Sequence, residues 1–126
     1  MGYLIDNNAI SNYCKFSMPD KACVFMSAII DAEPFISIIT KIEALSWKTT
    51  NPVYEWNAQY FVSISKAIDL TPSIVDKTIE LRRAMRIKTP DAIIAATALV
   101  HNLTLVTSDG DFNGIPGLKI IDPFAI

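Results

Sequence analysis

The sequence predicts an α/β protein, a three-layer α/β/α sandwich around a central, mostly parallel sheet of about five strands. Three observations carry that prediction. Short apolar runs bounded by turn residues recur at 2–5, 35–39, 67–70, 104–107 and 119–121, as strands buried on both faces do. Between them lie longer segments, several opening with a capping residue and a proline, the signal of a helix start. Hydrophobic residues make up 51% of the 126 positions and mean hydropathy is +0.31. That composition suits one well-filled core, a single domain over residues 1–126, and surface left over for a partner.

Taken in order, Tyr3-Leu4-Ile5 forms the first strand and runs into Asp6. A helix is expected over 8–15, and Met18-Pro19-Asp20 introduces a second over 20–32. The strand at 35–39 leads through Thr40 into a helix near 41–49, with Glu43 at capping-box spacing from Thr40. Asn51-Pro52 opens a helix over 52–66, followed by the strand at 67–70. Thr71-Pro72 and Thr89-Pro90 open helices over 72–86 and 90–102. The second of these carries no charge after Asp91 for the rest of its apolar stretch, so it is expected to be buried. Strands at 104–107 and 119–121 complete the pattern β-α-α-β-α-α-β-α-α-β-β. No repeat or low-complexity tract interrupts it.

The totals narrow the function. A net charge of −2 gives no overall attraction to nucleic acid, so phosphate binding would need a local basic patch or metal ions. Cys14 and Cys23, with His101 the lone histidine, make neither a zinc site nor a disulfide framework and read as two reduced thiols. No apolar run reaches the roughly 18 residues of a membrane span. No basic segment leads into an apolar one at the start, so a cytoplasmic location and no membrane association are expected.

In open α/β sheets, ligands bind beyond the carboxyl ends of the strands. Asp6 follows the first strand, Glu43 follows the second, and Asp109 and Asp111 follow the fourth. Asp91 opens the helix that precedes the fourth strand, so it reaches the same edge. Each acid also has an ordinary explanation. Asp6 can cap a helix, Glu43 fits a capping box, Asp91 favours the helix dipole, and Asp109 and Asp111 suit a glycine-containing turn. Capping does not require them to meet at one edge, and clustered carboxylates repel unless a cation offsets them. Oxygen-only ligation suits Mg²⁺ or Mn²⁺. The matching chemistry is attack of an activated water on a phosphodiester.

Four stretches carry a family resemblance: YLIDNNAIS (3–11), ITKIEAL (39–45), TPDAIIAATA (89–98) and LVTSDGDF (105–112). In this order they resemble the motif regions of PIN-domain nucleases, and among these the VapC-like toxins of type II toxin–antitoxin pairs. The resemblance implies a Mg²⁺-dependent endoribonuclease acting on RNA, homodimeric, and held inactive by a cognate antitoxin. It implies Asp6, Glu43, Asp91 and Asp109 as the acidic metal-binding quartet, with Asp6 and Asp91 as principal ligands. Thr107 would be the organising hydroxyl and Asp111 an auxiliary acid. This chain departs from the family at Asn7, where Thr or Ser is common. An amide also donates and accepts, so Asn7 is expected in a supporting role.

Arg82, Arg86 and Lys88 lie in the densest basic stretch, directly before Thr89. Arg82 and Arg86 are expected on one helix face and, with Lys88, are RNA-backbone candidates; a solvated helix end explains them equally. Lys48, Trp47 and Trp56 are weaker surface candidates, with packing the better account of the tryptophans. His101 falls about three turns from Asp91 and is not a candidate base. Two other readings remain: a phosphoacceptor signalling domain, for which Asp69 is the nearest acid, and a non-catalytic binding module with an acidic pocket.

Overall fold

The computed structural model describes residues 2–126. Its strands are β1 (Tyr3–Ile5), β2 (Phe35–Ser37), β3 (Lys66–Ile68), β4 (Thr104–Val106) and β5 (Ile120–Ile121). Its helices are α1 (Asn7–Cys14), α2 (Asp20–Asp31), α3 (Ile38–Ser46), α4 (Pro52–Ile64), α5 (Pro72–Ala84) and α6 (Thr89–His101). The sheet order is β3-β2-β1-β4-β5, and each of its four pairings is parallel. The three-layer α/β/α sandwich expected from the sequence is therefore the fold.

Alternation along the strands separates two cores. Ile5, Ile36 and Val106 face α1, α2 and α4, where Ile10, Met26 and Phe61 fill the layer. Leu4, Leu105 and Ile68 face α5 and α6, where Ile74, Leu81 and Ile94 fill the other. A one-residue register slip would exchange the two sets, so the register is strongly specified. Ala92, Ala95, Ala96 and Ala98 of α6 are fully buried. Their small side chains let this helix lie close to the sheet, which brings its first turn to the strand ends. Cys14 is buried and its thiol is pushed up to about 11 by loss of solvation, while Cys23 is also unpaired. No helix among the described residues is long and apolar enough to cross a membrane.

Several boundaries differ from expectation, and two matter for the site. β2 ends at Ser37, whose hydroxyl accepts from the Ile39 amide at 3.1 Å and caps α3. Thr40 thus lies inside the helix, its hydroxyl buried without a partner, and Glu43 falls in the second turn. The capping-box account of Glu43 does not hold. α5 stops at Ala84, so Arg86 is in the loop to α6 and shares no helix face with Arg82. Asn51 and Thr71 cap as expected, whereas Lys88 occupies the cap of α6 and Thr89 is already helical.

Candidate metal centre

The sheet order reverses direction at β1 and β4: the chain proceeds outward from β1 to β2 and β3 on one side, then to β4 and β5 on the other. Such a switch point opens a crevice at the carboxyl ends of the two strands. Asp6 follows β1 there, and Thr107, Ser108 and Asp109 follow β4.

Asp6 is 7% exposed and has both carboxylate oxygens occupied. Oδ1 accepts from the Asn7 amide at 2.8 Å, capping α1, and Oδ2 accepts from the Thr107 hydroxyl at 2.8 Å. Thr107 is itself buried and over-determined. Its oxygen also accepts from the Asn8 side-chain amide and from the Asp109 backbone amide, each at 3.1 Å. One hydroxyl therefore ties the end of β1 to the loop after β4, with its single proton directed at Asp6. Loss of solvation raises the Asp6 pKa most; the bonds from Thr107 and Asn7 oppose that, and the charges of Asp91 and Asp109 add to it.

The loop after β4 is anchored by Phe112, which is fully buried. Asp109 caps the short 3₁₀ turn Gly110–Phe112, its Oδ1 accepting from the Asp111 amide at 2.9 Å. Asp91 arrives from the other side, in the first turn of α6. One carboxylate oxygen each from Asp91, Asp109 and Asp111 lie within 4.8 Å of one another. Asp91 is raised by partial burial first, then by Asp109 and Asp111, with Lys88 opposing. Glu43 sits on the exposed rim of α3, and its pKa is raised by partial desolvation, then by Asp6 and Asp91.

All five sequence-predicted acids are thus drawn into one electrostatic cluster, with an internal division. Asp91, Asp109 and Asp111 form the close group, while Asp6 and Glu43 couple to it by charge. Asp111, expected as an auxiliary, stands in the close group. Asn8, which sequence reasoning passes over in favour of Asn7, is the residue that reaches Thr107, and its Oδ1 also receives the Ser108 amide at 3.4 Å. Its position two residues past a capping aspartate is the available signal, because the first turn of α1 points back over the strand ends. Asn7 contributes its backbone amide to Asp6. Oxygen donors converging without a neighbouring lysine or arginine in ion-pair contact fit a hard divalent cation such as Mg²⁺ or Mn²⁺.

Known proteins share this fold. The PIN domain family model covers residues 3–118. A chain from a toxin–antitoxin complex of Klebsiella pneumoniae is 31% identical, with a TM-score of 0.73 over 99% of this chain and 100% of that one. VapBC2 from Rickettsia felis, bound to a DNA fragment from its promoter, gives a TM-score of 0.80 at 24% identity, over 96% of this chain and 98% of that one. DNA-bound VapBC from Salmonella typhimurium gives 0.79 at 22% identity, over 98% of each chain, a likeness of fold. Comparison with curated proteins returns no match. With its motif regions in order along one domain match that spans nearly its whole length, the chain belongs to the PIN-domain family.

Proposed function

We propose that this protein is a cytoplasmic, divalent-cation-dependent endoribonuclease that acts as the toxin of a type II toxin–antitoxin pair. The observation that carries the reading is the convergence of Asp91, Asp109 and Asp111 within 4.8 Å, beside an Asp6 locked by Thr107. The first three would hold Mg²⁺ or Mn²⁺. When bound, the cation supplies a nucleophilic water at neutral pH and stabilises charge on the phosphoryl oxygens. Asp6 and Glu43 orient water and substrate around it. The bonds from Thr107 and Asn7 fix the Asp6 carboxylate, so its direction costs nothing to set during the reaction.

The Klebsiella complex supports a protein partner for this chain as well. An apolar cavity of about 600 Å³, lined in part by Phe16, Met18, Tyr60 and Phe61, offers an antitoxin segment somewhere to dock. Exposed apolar pairs on two helices, Ile42 and Leu45 on α3 and Val75 and Ile79 on α5, support a homodimer. The phosphoacceptor reading has little support: Asp69 follows β3, the edge strand, which β2 separates from β1 and Asp6.

The test is RNA cleavage by the purified protein. Cleavage is expected with Mg²⁺ or Mn²⁺, to cease with chelator, and to be lost in Asp91→Asn. Cleavage that survives chelation, or that both Asp91→Asn and Asp109→Asn retain in full, overturns the reading. Light scattering checks the dimer.

A further inference from the structure

The cleft beside the carboxylates has two characters. One cavity of about 460 Å³ is lined by Arg82, Arg86, Ile87 and Lys88 and also by Asp91 and Asp111. The cations therefore share a space with two members of the close carboxylate group. None of them makes an ion-pair contact with those acids, although the charge of Lys88 is felt at Asp91. Among the described residues the one ion pair is Lys77 with Glu80, at 3.2 Å on the exposed surface of α5.

Arg82 is also held in place. Its Nε donates to the Ile87 carbonyl at 3.1 Å, tying the last turn of α5 to the loop that leads into α6. That bond uses one donor of the guanidinium fork and leaves the terminal nitrogens available for an anion. Arg83, next in the same helical turn and also exposed, does not line the cavity. The basic stretch is thus divided by the fold: Arg82, Arg86 and Lys88 turn towards the acids, and Arg83 does not.

A ligand matched to this cavity carries one negative group for the cations and a second beside the carboxylates, where a bound cation accepts it. Consecutive phosphates of a single RNA strand meet that description. We propose that Arg82, Arg86 and Lys88 form a subsite for a phosphate adjacent to the one hydrolysed. The strand then runs from the C-terminal end of α5, across the loop, to the carboxylates. This rests on the ribonuclease reading for the identity of the polymer. It adds which cations hold it and in which direction from the acids it lies.

Binding of a labelled single-stranded RNA oligonucleotide to the full chain, in chelator so that no cleavage occurs, tests the subsite across a series of salt concentrations. Arg82→Ala and Arg86→Ala are each expected to weaken binding about tenfold and to reduce the salt slope by about 0.7 for each phosphate no longer neutralised. Arg82→Lys keeps the slope but not the full affinity, because a point charge replaces the fork. Arg83→Ala leaves both unchanged. Equal losses in Arg83→Ala, or none in the other two, overturn the subsite. Folding of each variant is checked by its melting curve, and the exposed positions of all three arginines favour intact folds. Cleavage by the Mg²⁺-loaded wild type is read separately. Arginine-dependent binding without cleavage overturns the catalytic reading and leaves Arg82 and Arg86 as an RNA phosphate-binding site beside the carboxylates, whereas cleavage with arginine-independent binding overturns the subsite alone.

Discussion

Asp6 and the Asp91, Asp109 and Asp111 group lie together at the carboxyl end of the sheet, yet their carboxylates are partnered in opposite ways. Asp6 is buried, and each of its oxygens accepts a hydrogen bond from the protein. The close group is more open, with Asp111 exposed, and within it the one carboxylate bonded to the protein is that of Asp109, to the Asp111 amide. Burial without partners would be costly for Asp6, and the Thr107 hydroxyl and Asn7 amide offset that cost. For the other three, like charges stand close together, and Lys88 offsets part of the repulsion at Asp91. The first acid thus carries hydrogen bonds that hold the end of β1 to the loop after β4, while the other three lie close together with fewer bonds to the protein.

The sharpest way to break this contrast is Asp91→Asn. Cleavage is expected to fall by more than about 100-fold, beyond the loss typical of an outer partner. Thermal stability without metal stays level or rises, because a repulsive charge has been removed. A clear loss of melting temperature would place Asp91 with Asp6 instead.

Metal and pH act on the same charges. Desolvation, and then neighbouring acids, push the Asp6, Glu43 and Asp91 pKa values up from their ordinary ones. The folded state therefore binds protons at these carboxyls more readily than the unfolded chain does. Their contribution to stability is complete below the unfolded-state values and is lost as pH rises through the raised ones. Metal-free protein should lose that contribution on going from acidic to neutral pH. Magnesium at about 100 times its dissociation constant should return about 2.7 kcal/mol at neutral pH and almost none in acid, where the ligands are protonated. Calorimetric melting at the two pH values, with and without Mg²⁺, checks this; equal stabilisation at both would contradict it.

Thr107→Val probes the buried partner. It removes the donor to Asp6 and the acceptor for Asn8 and the Asp109 amide, and should cost about 1–3 kcal/mol in chemical denaturation. Cleavage should fall by about 10–100-fold. Unlike Asp91→Asn, this change lowers stability and activity together. The smallest effect separates two neighbours: Asn8→Ala should cost about 1 kcal/mol through its missing bonds, whereas Asn7→Ala stays within about 0.5 kcal/mol. Equal costs would show that Asn8 does not brace Thr107.

Much of this is legible in the chain. The strands stand out because runs such as Tyr3-Leu4-Ile5 and Thr104-Leu105-Val106 are short, apolar and bounded by turns. The acids stand out because strand ends in an α/β sheet share an edge. Local competition between caps is what the sequence leaves open. Ser37 and Thr40 both suit a helix start, and the choice of Ser37 moves Glu43 from the first turn into the second. The end of α5 comes earlier than its pattern suggests, because the helical period continues past Ala84 while the chain itself turns extended at Met85.

By itself the sequence determined the class of fold, the order of elements and which acids fall at the shared strand edge, since these follow from periodicity, proline placement and chain direction. Tertiary structure alone decided how the acids divide. Whether a carboxylate is locked or left open depends on which groups from distant parts of the chain reach its oxygens. Thr107 reaches Asp6 only because β4 lies beside β1. Asp111 stands near Asp91 because the loop that carries buried Phe112 and the first turn of α6 meet in the folded chain. Hydrogen bonds act over about 3 Å and charge repulsion over about 10 Å, and those distances are set by packing that no local pattern encodes.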